Sequence, residues 1–337
     1  MKKTYNVGIL GATGLVGQEM IKTLIARQFP VAEWLPLASA RSAGTVIRVG
    51  DQHIAVQEAT PESFEGLDFL FASAGGSVSR ALAPAAVERG CIVIDNTSAF
   101  RMREDVPLVV PEVNAEALRG HKGLIANPNC STAQLVVVLK PLHEAFGLRR
   151  VVCSTYQAVS GAGQKAIEEL YAQSEQVLSG QAAHPQVLPF PIAFNVIPFI
   201  GDFDASGYTL EELKMTDEVA KIMGEAIPTT ATCIRVPVAN GHSESVNLEF
   251  AQPVSPEAAR AVLAQAPGVQ VRDDQSLRHF PYPLDISGTD PVYVGRIRGD
   301  VSHPHGLNLW VVADNLRKGA ALNAVQIAET MIEMGLV

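Results

Sequence analysis

The first 27 residues hold the feature that most constrains the fold, a short apolar run joined to a helical pattern through a glycine turn. The run Tyr5–Leu10 is rich in residues that favour β-strands, and Gln18–Arg27 has helical periodicity. Gly11, Gly14 and Gly17 lie between them. A strand that passes through a tight turn into a helix begins a β-α-β unit, which predicts a parallel sheet covered by helices.

Strands and helices continue to alternate up to about residue 130. The alternation predicts a doubly wound, Rossmann-like α/β domain. Further strands are predicted at Trp34–Ala38, Phe69–Ala72, Ile92–Ile94 and Leu124–Ala126, and a helix at Ser79–Arg89.

After about residue 150 the predicted strands become longer, which indicates an α+β domain on a larger, mostly antiparallel or mixed sheet. The amphipathic helix Lys318–Met334 follows the last of these strands, and the pattern alone leaves its packing open. Strands are predicted at Val151–Gln157, Thr232–Val238, Ser245–Phe250, Val292–Arg298 and Asn308–Ala313, and helices at Gln164–Ser179 and Pro256–Ala264.

Composition excludes several classes of function. The chain has 337 residues and a formal net charge of −9, which fits two domains and argues against a nucleic-acid partner. No apolar run reaches the roughly 18 residues that a membrane helix needs, and the N-terminal apolar run does not resemble a signal peptide because it leads into Gln18 and Glu19. The 4 cysteines are widely spaced without a CxxC pair, which indicates a reducing compartment, by default the cytoplasm, and no metal site.

The glycine turn resembles a dinucleotide-binding fingerprint, in which backbone N–H groups at a helix N-terminus approach a pyrophosphate. Ala12 occupies the position of the middle glycine, so a plain strand-to-helix turn without a nucleotide remains an alternative. The residues predicted to contact the cofactor here are Gly11, Thr13, Gly14, Leu15, Val16 and Gly17.

The end of the second predicted strand favours NADP over NAD. An NAD site favours an acidic residue near this point, to bind the ribose 2′-hydroxyl. The segment after the strand instead contains Ser39, Arg41 and Ser42 and no carboxylate. Two hydroxyls and a guanidinium suit a 2′-phosphate. The alternative is that Arg41 is a solvated loop cation.

Cys130 is the cysteine whose setting suggests chemistry. It lies in a turn just before the helical run Thr132–Leu139, and a helix N-terminus lowers the pKa of a thiol. Cys91, Cys153 and Cys233 lie inside apolar runs, as structural cysteines do. We therefore predict that Cys130 is a nucleophile.

A nucleophilic cysteine beside a nicotinamide cofactor indicates oxidation of an aldehyde through a thioester, or the reverse reaction. His242 follows a strand and a glycine turn, where a histidine can move protons near neutral pH. If phosphate rather than water takes the acyl group, Arg101 and Lys214 are candidate phosphate ligands. Each could equally be a surface cation or part of a helix-face ion pair.

Together these segments resemble the aspartate-semialdehyde dehydrogenase family. The matching motifs occur in family order and cover nearly the whole chain. They are Gly11–Gly17, Ser39–Gly44, Asp95–Met102, Asn127–Thr132, Gln157–Gly163, Glu211–Met215, Arg235–Glu244 and Asp314–Gln326.

The resemblance implies a role for each matching residue. Cys130 is the expected nucleophile, Gln157 orients the substrate, and His242 is the acid–base residue. Arg235 binds the substrate carboxylate and Glu211 its amino group. The phosphate or acyl phosphate is expected to contact Arg101, Asn129 and Lys214, and the nicotinamide to lie near Ser160, Gly161, Gly163 and Asn315.

The resemblance also implies the reaction and the domain organisation. The expected reaction is NADPH-dependent reductive dephosphorylation of L-4-aspartyl phosphate to L-aspartate 4-semialdehyde and phosphate, which supplies lysine (through diaminopimelate), methionine, threonine and isoleucine synthesis. Residues 1–130 with 315–337 are expected to form the NADP-binding domain. Residues 131–314 are expected to form a substrate-binding domain that also forms a homodimer. This organisation is glyceraldehyde-phosphate-dehydrogenase-like.

Three alternatives compete with this interpretation. N-acetyl-glutamyl-phosphate reductases share the fold and chemistry, but Asn129 before Cys130, and Arg235 with Glu211, suit a free amino acid better. A glyceraldehyde-phosphate-type enzyme fits the NADP-type loop and the His242 segment poorly. A non-catalytic nucleotide-binding regulator would be expected to lack the nucleophile or the base.

Overall fold

The computed structural model describes residues 3–337. The described residues form two compact units, one made by the chain up to Asn129 together with Ala320–Val337, and the other by Cys130–Gly319. No helix in residues 3–337 is both long and apolar enough to cross a membrane.

The elements are numbered in chain order. The strands are β1 (Tyr5–Leu10), β2 (Val31–Ala38), β3 (Val46–Val49), β4 (Gln52–Ala55), β5 (Gln57–Glu58), β6 (Phe69–Ala72), β7 (Ile92–Asp95), β8 (Leu124–Ala126), β9 (Leu148–Gln157), β10 (Thr229–Arg235), β11 (His242–Phe250), β12 (Val269–Val271), β13 (Val292–Gly299) and β14 (Gly306–Ala313). The helices are α1 (Leu15–Ala26), α2 (Gly76–Glu88), α3 (Pro111–Asn114), α4 (Cys130–Phe146), α5 (Gln164–Leu178), α6 (Leu210–Met223), α7 (Pro256–Leu263), α8 (Pro283–Ile286) and α9 (Leu322–Glu333).

The first unit contains a parallel sheet with strand order β5-β2-β1-β6-β7-β8. Its strands β1, β6, β7 and β8 are buried on both faces, as the short apolar runs predict, with all four residues of β6 fully buried. The predicted Rossmann-like fold is confirmed. The order reverses at β1, and in such sheets ligands bind beside the carboxyl ends of the strands at this point.

The tail helix α9 belongs to the first unit. Val325, Ala328 and Met331 on its apolar face join the same core cluster as Met20 and Leu24 of α1. Arg27 at the end of α1 pairs with Glu329, with 2.7 Å between Nη2 and Oε2. The helix Leu322–Glu333 begins later than the sequence pattern indicates, because the residues Arg317–Ala321 form a π-helical turn.

Three short strands of the first unit were missed from sequence. β3 and β4 form a hairpin, and β5 adds to the sheet edge by pairing with the end of β2. The hairpin strands have only four residues each and β5 has two, so none is long enough to give the extended alternation that indicates a strand.

The second unit contains a mixed sheet with strand order β10-β9-β11-β14-β13-β12. Its two outer pairs, β10 with β9 and β12 with β13, are parallel, and the inner pairs are antiparallel. Alternating burial along β9 shows that one face of the sheet is covered and the other half-exposed. The predicted mixed α+β sheet is confirmed.

Helix α4 supplies much of the buried layer in the second unit, with every residue from Ser131 to Leu139 buried. Its uninterrupted apolar run predicted only Thr132–Leu139 as helical, whereas the helix begins at Cys130 and continues through Pro141 to Phe146. Cys130 is therefore the first residue of a 17-residue helix.

Helix α5 holds the long irregular segment that follows it. Glu169 accepts backbone N–H bonds from Gln186, Val187 and Leu188 at 3.1, 2.6 and 3.2 Å. The segment then pairs with the edge of β10, where Ile197 and Arg235 exchange two backbone hydrogen bonds of 2.9 Å. A buried carboxylate on α5 thus fixes the chain that flanks Arg235.

Candidate active site

A cavity of about 610 Å³ lies in the first unit at the carboxyl ends of β1 and β2. Its wall includes Gly11, Thr13 and Gly14 from the glycine turn, and Ser39, Arg41 and Ser42 from the loop after β2. The sequence predicted both segments as cofactor contacts, and the sheet brings them to one cavity. Leu15, Val16 and Gly17 lie in the first turn of α1 rather than in this wall.

The glycines of the turn are required by close backbone contacts. Gly11 has φ of +90°, and a Cβ on it would lie 2.8 Å from the Ser73 carbonyl oxygen. A Cβ on Gly17 would lie 2.3 Å from the carbonyl oxygen of Gly11. The turn therefore leaves the first N–H groups of α1 beside the cavity, the arrangement that binds a phosphate.

Glu58 lines the same cavity, and the sequence prediction missed it. The parallel pairing of β5 with β2 sets Glu58 opposite Ala38, the residue before Ser39. The carboxylate lies 20 positions along the chain from the residue it pairs with, and the two-residue strand that carries it gives no sequence signal. This wall therefore contains one cation and one carboxylate.

Arg101 and Asn129 are both buried in the first unit. The Arg101 guanidinium donates from Nε to the Asn127 carbonyl at 2.9 Å and from Nη2 to the Asn96 carbonyl at 3.0 Å. These two carbonyl oxygens hold the guanidinium in a fixed orientation. This is not a surface cation, which was the alternative left open for Arg101.

Cys130 begins helix α4 in the second unit and is half-buried. The first N–H groups of a helix carry partial positive charge, which stabilises a thiolate at this position. Arg235 lies within electrostatic reach of the sulfur, since a Cys130 thiolate raises the pKa of that guanidinium against the larger, opposite effect of burial.

The remaining cysteines have the surroundings of inert thiols. Burial raises the pKa of Cys91 to about 12, and it raises the pKa values of Cys153 and Cys233 as well. All four cysteines are free. Cys130 is therefore the thiol best placed to react.

Three predicted site residues lie together at the edge of the second sheet that is formed by the ends of its strands. They are Gln157, Arg235 and His242. Gln157 and Arg235 are the last residues of the parallel strands β9 and β10 and lie opposite each other. His242 begins β11, which runs antiparallel to β9, so the start of that strand lies at the same edge. The topology brings together three predicted residues that are up to 85 positions apart.

Glu211 and Lys214 join Gln157 through the first turn of α6. The Gln157 Nε2 donates to Glu211 Oε1 at 3.3 Å, and Lys214 Nζ lies 3.1 Å from Glu211 Oε2. Thr209 caps the helix and forms a capping box with Glu212, which fixes this first turn. The helix-face ion pair that was one interpretation of Lys214 is present, and its carboxylate is itself a predicted site residue.

His242 is fully buried, and one of its ring nitrogens has a defined hydrogen-bond partner. Its Nδ1 accepts a hydrogen bond of 3.0 Å from the backbone N–H of Ala158. Burial lowers the pKa of the imidazole well below its usual value, and the charge of Arg235 lowers it further. Its acid–base role stays a prediction.

The residues predicted to lie near the nicotinamide are all in the second unit. Ser160 and Asn315 are hydrogen bonded through their side chains, and Asn315 Oδ1 also accepts the Gly241 N–H at 2.9 Å. A Cβ on Gly161 would lie 3.0 Å from Arg235 Nη1 and 3.3 Å from His242 Nε2. Gly163 has φ of +94° and is the N-cap residue of α5.

Gly319 is a site residue that the sequence prediction missed. A Cβ at this position would lie 2.7 Å from the Cβ of Cys130 and 3.0 Å from its Cα. No local feature of the sequence explains a glycine within the π-helical turn Arg317–Ala321. That unexplained glycine was the available signal that another segment packs closely against this position. No group of three or more His, Cys, Asp or Glu side chains within residues 3–337 is arranged to hold a metal ion.

Two family models match successive parts of the chain. The NAD-binding domain of semialdehyde dehydrogenase matches residues 6–121, and the semialdehyde dehydrogenase dimerisation domain matches residues 139–318. The chain is 51% identical to the aspartate-semialdehyde dehydrogenase of Bacillus subtilis (strain 168), with 100% of each covered. The chain belongs to the aspartate-semialdehyde dehydrogenase family. The resemblance inferred from the motifs is confirmed.

Solved structures of aspartate-semialdehyde dehydrogenases share this fold. The aspartate semialdehyde dehydrogenase II of Vibrio cholerae, complexed with ASA, is 46% identical with a TM-score of 0.96, covering 98% of this chain and 99% of that one. The Candida albicans enzyme with NADP is 30% identical with a TM-score of 0.77, covering 99% of this chain and 100% of that one. Because this family is one of oxidoreductases, an enzyme is a better interpretation of the chain than a non-catalytic regulator.

Proposed function

We propose that this member of the aspartate-semialdehyde dehydrogenase family catalyses the NADPH-dependent reductive dephosphorylation of L-4-aspartyl phosphate to L-aspartate 4-semialdehyde and phosphate. The observation that carries the proposal is the combination of Cys130 at the start of α4 with a buried Arg235 in electrostatic reach of it. A helix N-terminus and a guanidinium together favour the thiolate. His242, at the same sheet edge, supplies a polar group for the reacting carbonyl.

Cys130 attacks the acyl carbon of the substrate, forms a carbon–sulfur bond and releases phosphate, which leaves an aspartyl thioester on the enzyme. NADPH, when bound, supplies the hydride that reduces this thioester carbon. Collapse of the reduced adduct breaks the carbon–sulfur bond and regenerates the thiolate. The helix N-terminus and Arg235 stabilise the sulfur anion at the start and the end of the cycle.

The residues around Cys130 suit a free amino acid. We assign the substrate carboxylate to Arg235 and the substrate ammonium to Glu211, which is buried and held by Gln157. Glu211 is already paired with Lys214 at 3.1 Å, and a carboxylate has room to accept from a second cation such as the substrate ammonium. An N-acetylated substrate has no ammonium to supply, which favours aspartyl phosphate over N-acetyl-glutamyl phosphate. Lys214, the other cation on Glu211, is our candidate for binding phosphate in this unit.

NADP is the cofactor that we propose for the cavity of the first unit. Its glycine turn fits a pyrophosphate, because added Cβ atoms at Gly11 and Gly17 would collide with backbone. Arg41, with Ser39 and Ser42, would bind the 2′-phosphate. Glu58 lies in the same wall, and its negative charge opposes the charge of a 2′-phosphate. The proposed preference for NADP over NAD therefore rests on Arg41.

We propose a homodimer formed through the second unit. The matched dimerisation domain and exposed aromatic residues of this unit support it, with Phe194 and Phe203 being 68% and 58% exposed. Four free cysteines fit a reducing compartment, so we propose the cytoplasm. The semialdehyde would there supply lysine, methionine, threonine and isoleucine synthesis.

The experiment that tests this function is NADP⁺ reduction by purified protein, with and without inorganic phosphate, using aspartate semialdehyde or N-acetylglutamate semialdehyde. We expect phosphate-dependent turnover with aspartate semialdehyde alone. Turnover with the acetylated substrate, or turnover that ignores phosphate, would contradict the proposal.

Cys130→Ala is the matched variant for this assay. Without the nucleophile we expect turnover to fall below detection while NADPH binding, measured by fluorescence titration, stays within about twofold of the wild type. Cys91→Ala is the control, because that thiol is buried in the first unit. Normal turnover in the Cys130 variant would refute the thioester mechanism.

A further inference from the structure

One buried carboxylate of the second unit has no part in the chemistry described above. Asp314 follows β14 and is 2% exposed. Its Oδ1 accepts hydrogen bonds from the backbone N–H groups of Leu316 and Arg317, at 2.8 and 3.2 Å. Its Oδ2 accepts from the Gly288 N–H at 2.7 Å and from the Asn240 amide at 2.8 Å. A carboxylate has about four acceptor sites, so protein donors occupy all of them.

The Oδ1 side of Asp314 shapes the turn that contains Gly319. A side-chain oxygen that accepts the backbone N–H two residues further on makes an Asx-turn. The main-chain carbonyl of Asp314 adds hydrogen bonds from the N–H groups of Arg317 at 3.1 Å and Gly319 at 3.4 Å. A Cβ on Gly319 would lie 2.7 Å from the Cβ of Cys130. The hydrogen bonds of one residue therefore set how closely this turn packs against Cys130.

The Oδ2 side of Asp314 connects this turn to two further segments. Asn240 lies two positions before His242, in the turn that enters β11. Its side chain also accepts the Ser160 hydroxyl at 3.0 Å. Gly288 lies in the loop that follows α8. All of these residues belong to the second unit, so Asp314 is the point at which three loops of that unit are joined.

Replacing the carboxylate by an amide shows what depends on it. Asp314→Asn keeps the shape of the side chain but leaves it only one acceptor oxygen. Each carboxylate oxygen accepts two hydrogen bonds, so in either orientation the new NH₂ group faces two N–H donors. Either the turn or the pair Asn240 and Gly288 must then move away. Both displacements shift the turn at Gly319 relative to the loop before His242.

We propose that Asp314 is a positioning residue for the nucleophile, because its carboxylate holds the turn at Gly319 against Cys130 and fixes that turn relative to the loop that carries Asn240. Asp314 itself touches no substrate and takes part in no bond-forming step. The assignment of Cys130 as nucleophile rests on the proposed function. A misplacement of a reacting group by about 1 Å costs about 10²-fold in rate, so turnover depends on this carboxylate.

The direct test is the rate at which iodoacetamide alkylates Cys130, measured up to the pH at which the rate no longer rises. This limiting rate reports the access of the reagent to the thiolate and not the pKa of the thiol. Because Asp314→Asn loosens the turn at Gly319, we expect a limiting rate at least about threefold above that of the wild type. An unchanged or lower limiting rate in the folded variant would overturn the proposal. Cys130→Ala gives the background from the other cysteines.

Asp300→Asn is the matched control for this measurement. Asp300 follows β13 and also accepts a backbone N–H two positions on, that of Ser302 at 2.8 Å, and an asparagine amide, that of Asn247 at 2.6 Å. Its turn leads into β14 and not to Cys130. We expect its limiting rate and kcat to stay within about twofold of the wild type. The same increase in both variants would show a general loosening of loops and contradict a specific role of Asp314.

The kinetic arm separates kcat from KM. Arg235 and Glu211, which we assign to the substrate carboxylate and ammonium, lie on β10 and α6 and not on the turn. We expect Asp314→Asn to lower kcat on the order of 100-fold, while KM for aspartate semialdehyde and for phosphate stays within about threefold. A loss confined to KM would contradict the proposal. Failure of the wild type with aspartate semialdehyde would refute the proposed function and leave the alkylation result intact.

A double variant tests whether Asp314 acts through Gly319. Gly319→Ala already displaces Cys130, so adding Asp314→Asn should lower kcat by less than about tenfold, compared with about 100-fold in the wild-type background. Losses that multiply in full would show that the two residues act independently and would contradict us.

A second variant keeps the test available if Asp314→Asn does not fold. Asn240→Ala removes a single hydrogen bond to Oδ2, and we expect it to raise the limiting alkylation rate of Cys130 at least about twofold. An unchanged rate in this variant would then overturn the proposal.

Discussion

Glu244 illustrates at the scale of a single residue how burial changes a side chain. It is fully buried, and neither carboxyl oxygen has a hydrogen-bond partner of normal geometry within residues 3–337. Burial raises its pKa well above the usual value, and the nearby Gln134 amide lowers it by less. Burial in such a site favours the neutral form of the carboxyl group.

We predict that Glu244→Gln stabilises the protein at neutral and higher pH. The folded pKa is raised, so stability is complete below the unfolded pKa of about 4.3 and falls as the pH rises towards the folded pKa. Glutamine removes this loss. The expected gain is about 1.4 kcal/mol for each pH unit above the unfolded pKa, up to the folded pKa.

Urea unfolding at a series of pH values measures the effect of this substitution. The free energies of unfolding of variant and wild type should converge near pH 4 and separate as the pH increases. Glu33→Gln, on an exposed position of β2, is the control and should show no such trend. A difference that shrinks with rising pH would contradict a raised pKa.

Arg41 and Glu58 both line the cavity of the first unit and carry opposite charges. We therefore predict that removing each charge has the opposite effect on cofactor binding. Arg41→Gln should weaken NADPH roughly 10- to 100-fold, the value of 1.5–3 kcal/mol for a charge-assisted hydrogen bond, and leave NADH nearly unchanged. Glu58→Gln should strengthen NADPH by removing a like charge. Dissociation constants for both cofactors measure this, with Arg48→Gln on β3 as the control. Equal losses for NADPH and NADH would remove Arg41 from the 2′-phosphate site.

At the scale of elements, the start of α4 is defined by a contact that no local pattern contains. The π-helical turn Arg317–Ala321 passes so close to Cys130 that only a glycine fits at position 319. Two elements nearly 190 positions apart in the chain therefore fix the position of Cys130, the proposed nucleophile. Small displacements of a reacting group reduce turnover strongly.

We predict that Gly319→Ala lowers kcat on the order of 100-fold, because the new methyl group must displace Cys130 or its backbone. Overpacking of this kind also costs about 1 to 3 kcal/mol of unfolding free energy. Steady-state kinetics and thermal unfolding measure the two effects. The control is Gly299→Ala on β13, where an added Cβ meets nothing within 4 Å. Unchanged kcat in the Gly319 variant would show that the start of α4 tolerates displacement.

At the scale of the whole molecule, the second unit exposes an aromatic surface in the segment between α5 and α6. The rings of Phe190, Phe199 and Phe203 are in contact, with centroid distances of 6.0 and 5.3 Å from Phe199 to the other two. Phe194 is exposed nearby in the chain and has φ of +56°. Large apolar side chains grouped in this way commonly mark a surface between protein chains.

We predict that Phe194→Ser combined with Phe203→Ser weakens the proposed homodimer by at least tenfold, since central aromatic residues contribute about 2 kcal/mol or more. Sedimentation velocity over a range of protein concentrations measures the dissociation. Val301→Ser, at an exposed position in the turn between β13 and β14, is the control. A double variant that sediments like the wild type would locate the interface elsewhere.

The sequence by itself determined the fold class and the chemical candidates. Short apolar runs located β1 and β6, whose residues are nearly all buried, and helical periodicity located α1 to within a few residues. It also separated Cys130 from the buried cysteines, because a turn before a helix is a local property. Motifs in order along the chain then identified the family.

Tertiary structure alone decided what depends on long-range pairing. Glu58 reaches the cavity of the first unit through the register of β5 with β2, and Gly319 lies against Cys130 although the two are far apart in the chain. His242 Nδ1 accepts a hydrogen bond from the backbone N–H of Ala158, a contact that no side-chain pattern encodes. Each of these is a distance between segments far apart in sequence, and such distances are set by how sheets and helices pack.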